Sequence, residues 1–170
     1  MASETVSVGR PSAFHTIVFG GLAIGILDFI DASTFFPLYF GITFQSVWWG
    51  PASGLLGREA ARGGGWNAAL LGIFLHFVVA TCIATIYYLA SRNISFLIRR
   101  PVISGLVFGV IANVVMQWVV IPLSAIGWRP PAATIDWGSQ ANSYVGHAFL
   151  VGLPVAVIAA WSARRNQKLD

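Results

Sequence analysis

The chain has 170 residues, of which 56% are hydrophobic and 9% charged, with a formal net charge of +4 and a mean hydropathy of +0.74. That composition excludes a soluble domain with an ordinary polar shell and points to a polytopic membrane protein. One cysteine, Cys82, excludes an internal disulfide, a four-cysteine zinc site and a thiol relay.

A membrane-spanning helix needs about 20 mostly apolar residues, and the sequence predicts four, over 13–30, 66–90, 101–123 and 143–162. The first follows Arg10 as a secretory leader would. Asp28 and Asp31 stand where the small residues of a cleavage site belong, so a retained helix is expected. After it, "FQSVWWGPASGLLGREAARGGG" predicts an interfacial helical segment over 43–62, interrupted at Gly50 and Pro51 and ended by Gly63, Gly64 and Gly65. Pro130 and Pro131 stiffen the connection between the last two spans. The expected fold is all-α, a single membrane domain of four transmembrane helices with an interfacial segment between the first and second.

Four crossings put both termini on one side with Arg10, Arg92, Arg99, Arg100, Arg164, Arg165 and Lys168, and leave Arg58, Arg62 and Arg129 opposite. By the positive-inside rule the termini are expected to be cytoplasmic. The basic tail then reads as a topology signal, with anionic lipid a secondary partner and nucleic acid no partner at all. Trp48, Trp49, Trp66, Trp118, Trp128 and Trp137 mark the outer interface and Trp161 the inner one.

Polar residues inside the spans are few. At about 1.5 Å per residue, Asp28 lies near the outer end of the first helix, His76 about 15 Å below the start of the second, and His147 about one turn into the fourth. Asn113 and Gln117, at i and i+4, share a face in the outer half of the third, and Ser143 and His147 repeat that spacing. Tyr87 lies on the stripe of His76, three turns further in, and is the sixth residue expected in the polar cluster. Such groups need partners in hydrocarbon, so Asp28, His76, Asn113, Gln117 and His147 are expected to meet across the bundle. Gly21 and Gly25, and Gly105 and Gly109, are small-xxx-small pairs that allow close helix approach within the bundle or in a homo-oligomer.

Several roles fit this cluster. It can fix helix register through hydrogen bonds alone. His76, His147 and Asp28 compose a two-histidine, one-carboxylate metal ligand set for zinc or iron, and the two histidines could bind haem b axially. Asp28 could exchange protons for a cationic substrate, as in small multidrug transporters, although it lies nearer a helix end than their acid does. Ser53 and Ser143 are available as nucleophiles but lack a nucleophile-elbow context. His15, Asp31 and Asp136 read as interfacial, loop or cap residues.

From His76 onward the chain resembles the YagU-type family of small bacterial inner-membrane proteins. The matching elements are His76 with Tyr87 eleven residues later, the Gly105 region, Pro122-Leu123, Pro130-Pro131, and Gly146-His147 followed by a basic end. The resemblance covers about residues 70–165 and implies a bacterial inner membrane and a family role for both histidines. It does not extend to Asp28, and the family's biochemistry is uncharacterised. The function expected is a non-enzymatic membrane protein binding a small ligand or ion in the cluster. The alternatives are a proton-coupled transporter and a metal- or haem-dependent membrane enzyme.

Overall fold

A computed structural model describes residues 9–128 and 136–167, all helix and connecting turns. Pro130, Pro131, Arg129 and Lys168 lie outside the described residues. Four helices are long and apolar enough to cross a membrane: α1 (His15–Phe40), α4 (Gly65–Asn93), α6 (Pro101–Leu123) and α7 (Trp137–Gln167). Between α1 and α4 run α2 (Phe44–Leu56) and α3 (Arg58–Gly63), and the short α5 (Phe96–Arg99) joins α4 to α6.

α7 is the axis of the bundle: half of its apolar window is buried, against 28% or less in the other three spans. It brings Val151, Val155, Ala156, Ala159 and Ala160 into one core with Ile24 of α1 and Ala80, Ala84 and Tyr87 of α4. Alanine and glycine dominate this core because close packing, not expulsion of water, drives helix association in lipid. A Cβ on Gly109 would run into the His147 carbonyl, and one on Gly152 into the Gly105 carbonyl. Gly21 and Gly25 face Thr81 and Phe77 of α4 in the same way. All four glycines of the two small-xxx-small pairs are therefore buried against this chain's own helices, on the faces that association of copies through them would need. Large apolar side chains such as Ile103, Val107, Ile111 and Phe74 point outward, as a lipid-facing belt requires.

Three boundaries differ from the sequence reading. α1 continues ten residues past Ile30 and ends only at Gly41, whose left-handed backbone (φ 65°) turns its N–H back to the Pro37 carbonyl at 3.0 Å. The two aspartates do not stop the helix because each has a partner across the bundle: Asp31 accepts from Asn142 Nδ2 at 2.9 Å and Asp28 faces His76. α7 starts at Trp137, one and a half turns before 143, because Asp136 caps it by accepting from the Ser139 N–H at 2.7 Å. α2 is continuous through Gly50 and Pro51 and breaks at Gly57 (φ 79°) instead. Proline costs about 3 kcal/mol in a helix interior, and here tertiary packing offsets it: α2 crosses α4 at Gly72, where a Cβ would meet the Trp48 carbonyl, and Trp48 and Ala52 are buried in that crossing.

Of the three stretches of π-helix among the described residues, His15–Phe19 in α1, Met116–Val120 in α6 and His147–Gly152 in α7, the last two each end two residues before a proline, Pro122 and Pro154. The wider turn moves the preceding carbonyls away from the proline ring, which would otherwise clash with them.

Candidate functional site

The lengthened helices change the level of the polar residues. Asp28 follows His15 by 13 residues in a 26-residue helix, so it sits at its middle, about 20 Å along. His76 lies about 17 Å from the start of α4, Asn113 about 18 Å along α6, and His147 about 15 Å along α7. Asp28 and Asn113 thus lie halfway along their spans, and His76 and His147 between a third and two fifths of the way along theirs.

One cavity of about 210 Å³ lies between the four helices at this level, lined on its polar side by Asp28, His76, Asn113, Gln117, Ser143 and His147. Ile24, Val79, Ala80, Ile83, Met116, Ile121 and Val151 complete its wall. That volume holds several waters or one small polar molecule and falls below the range of about 300–1,000 Å³ for drug-sized ligands.

Two hydrogen bonds set the histidine tautomers. His76 donates Nε2–H to the Gly25 carbonyl at 2.9 Å, since a carbonyl only accepts. Its Nδ1 then faces Asp28 Oδ2 at 3.8 Å. His147 donates Nδ1–H to the Ser143 carbonyl at 3.0 Å, one turn back, so the neutral ring keeps its lone pair on Nε2. Asp28 interacts electrostatically with His147, His76 and Asp31.

The opposite wall is an amide and hydroxyl network. Asn113 Oδ1 accepts from Ser143 Oγ at 2.7 Å and from Gln117 Nε2 at 3.2 Å, tying α6 to α7. The Nδ2 group of Asn113, a residue only 1% exposed, has no partner among the described residues. Over His76 lies an aromatic cover. Trp48 meets the imidazole edge to face at 5.2 Å between centroids and stacks on Phe29 at 4.6 Å, while Phe77 takes the other side of His76 at 5.4 Å. Trp48 is 1% exposed and its indole N–H is also unpartnered. Its expected place in the interfacial belt is therefore corrected: Trp66, Trp118, Trp128 and Trp137 are exposed there, and Trp48 packs inward because Gly72 lets α2 approach α4.

The structure brings together five of the six residues expected to cluster. Tyr87 stands apart, eleven residues along α4, where its hydroxyl donates to the Leu97 carbonyl at 3.0 Å and meets Ser104 Oγ at 3.1 Å. Sharing a helical stripe with His76 does not put it in the same layer. Among the described residues no group of three His, Cys, Asp or Glu side chains is disposed to hold a metal ion, so His76, His147 and Asp28 do not form the three-ligand set in this conformation. Neither serine has a histidine base: Ser53 Oγ donates to the Trp49 carbonyl, and Ser143 Oγ to Asn113, while His147 bonds the Ser143 backbone. Cys82 is exposed on α4. His15 packs near the chain ends against Trp161 at 5.4 Å, away from the cavity.

Sequence reasoning passed over Asp31 and Asn142. Asp31 is one turn from Asp28, a spacing readable once α1 is known to continue; with a helix ending at residue 30 it looks like a loop residue. Compared with family models, curated proteins and solved structures, the chain matches none.

Proposed function

We propose that this chain is a multi-pass protein of a bacterial inner membrane that binds a small polar molecule or ion in the cavity between Asp28, His76, Asn113 and His147. One observation carries this reading: the Asn113 amide is 1% exposed on the cavity wall with its NH2 group unpartnered, opposite a carboxylate and two imidazoles. A cluster serving register alone would pair its own donors and close up, because an unpaired polar group in this setting costs about 1–3 kcal/mol.

The location rests on the YagU-type resemblance, and the orientation on charge. Arg10, Arg92, Arg99, Arg100, Arg164 and Arg165 gather at the end where the chain ends meet, against Arg58 and Arg62 at the end covered by α2 and α3. The rule for basic loops then puts the chain ends in the cytoplasm and α2 on the periplasmic side, with the lipid bilayer as the partner of the apolar belt.

Thermal unfolding of the detergent-purified protein against panels of small anions, neutral polar solutes and cations tests the reading. One class is expected to raise the unfolding temperature with concentration, and His147→Leu to abolish the effect. No response to any class would overturn it. Proton-coupled transport is the second reading, favoured by Asp28 standing halfway along a 26-residue span rather than at its end. Proton uptake driven by a solute gradient in proteoliposomes, lost in Asp28→Asn, is the observation it requires.

A further inference from the structure

The hydrogen-bond pattern around Asp28 leaves a chemical mismatch. With Nε2–H of His76 donated to the Gly25 carbonyl, the second ring nitrogen, Nδ1, points a lone pair at the Asp28 carboxylate 3.8 Å away. An imidazole lone pair and a carboxylate that face one another call for a donor between them, a proton on one partner, a water or a cation, and at 3.8 Å they stand too far apart for a direct hydrogen bond. His147, whose Nδ1–H is donated to the Ser143 carbonyl, lines the same cavity. α6 contributes no titratable group there, only the Asn113 and Gln117 amides, and the unpaired amide donor of Asn113 is on that wall. Asp31, one turn along α1, is held by Asn142. Trp48 is what α2 presents to His76.

We propose that the cavity is a site for a small primary amine whose ammonium group takes the place of the single proton held between Asp28 and His76. An ammonium has three N–H donors; Asp28 Oδ2 and His76 Nδ1 face one another across the position it would take, and His147 lines the same cavity from a third helix. The exchange balances. Before binding, the pair and its proton are neutral overall; after binding, carboxylate and ammonium are neutral overall, and the displaced proton leaves to solvent. No net charge is left buried in either state, which the membrane interior would oppose. The donor on Asn113 adds a second requirement, a hydroxyl or carbonyl oxygen close to the amine. A cavity of about 210 Å³ restricts the ligand to a handful of heavy atoms.

This rests on the cavity being a ligand site, and the test separates the two. Ethanolamine is the probe, with methylammonium, tetramethylammonium and acetate as comparisons, in titration calorimetry of the detergent-purified full chain in two buffers of different ionisation enthalpy. Ethanolamine is expected to bind with release of close to one proton per ligand, its affinity rising about tenfold per pH unit while the pair holds its proton. Methylammonium should bind more weakly for lack of an oxygen, and tetramethylammonium, which has no N–H, not at all. Asp28→Asn should abolish both binding and proton release; where that variant does not fold, proton release by the unaltered chain decides alone. Ethanolamine binding without proton release, equal binding of tetramethylammonium, or binding of acetate alone would overturn the amine site and leave the cavity a ligand site. Failure of every solute class in the thermal panel would remove both.

Discussion

The indole of Trp48 meets the imidazole of His76 edge to face, with ring centroids 5.2 Å apart and planes inclined at 70°. This joins a helix outside the four spans to the polar centre of the bundle. The contact exists because Gly72, one turn before His76, offers no side chain to hold α2 away. Trp48 thereby covers the histidine without donating a hydrogen bond to it.

The Gly72 crossing predicts a contrast between two glycines. Gly72→Ala puts a methyl group into the Trp48 carbonyl, and overpacking of this kind costs about 1–3 kcal/mol. A Cβ on Gly54, within α2, makes only ordinary contact with Ser124 at 3.8 Å, so Gly54→Ala should stabilise by about 0.5–1 kcal/mol through chain entropy. Unfolding temperatures of the two variants in the same detergent check this. A neutral Gly72→Ala would mean that α2 is not seated on α4.

The link between α6 and α7 is expected to behave as a coupled unit. Asn113→Leu leaves the Ser143 hydroxyl without its acceptor and the Gln117 amide with Ser143 Oγ alone, a loss of about 1–3 kcal/mol. Ser143→Ala removes two interhelical bonds, the one donated to Asn113 and the longer one accepted from Gln117, each worth about 0.6 kcal/mol on average in membrane bundles. A double-mutant cycle read by reversible unfolding should show the two effects to be less than additive, and strict additivity would argue against the bond.

Tyr87 separates architecture from ligand binding. Tyr87→Phe removes a buried hydroxyl bonded to Leu97 and Ser104 and should cost about 0.5–1.5 kcal/mol. It should leave the stabilisation by ethanolamine unchanged, because the residue does not line the cavity. A variant that unfolds normally but loses the ligand response would place Tyr87 in the site.

Orientation can be read by labelling. Cys82→Ser, at an exposed position on α4, should shift stability by no more than about 0.5 kcal/mol and provides a cysteine-free background. On intact spheroplasts an impermeant maleimide should then label Glu59→Cys in α3, and label Gln167→Cys only after the membrane is opened. The reverse pattern would invert the proposed topology.

Much of the architecture was legible because spanning a bilayer is a local property. The runs at 66–90 and 101–123 meet the length and apolarity requirement on their own, and the observed helices Gly65–Asn93 and Pro101–Leu123 differ from them by three residues at most. The first and fourth helices were misjudged at the ends where charged or polar residues appear, at Asp31 and across Trp137–Asn142. There, continuation depends on a partner elsewhere: Asn142 for Asp31, and the Asp136 cap for the start of α7.

The polar residues were visible as types but not as a constellation. His76, Asn113 and His147 stood out because ionisable and amide groups in apolar runs demand partners, a rule that applies to each helix alone. Their convergence, the burial of Trp48 and the separate position of Tyr87 depend on helix rotation, on the π-helical turns before Pro122 and Pro154, and on glycine contacts between segments far apart in the chain. Hydropathy is a sum along one segment, and amino-acid order carries it directly. Which side chain faces which is a property of pairs of segments, and it becomes defined only when packing settles their rotation and depth together.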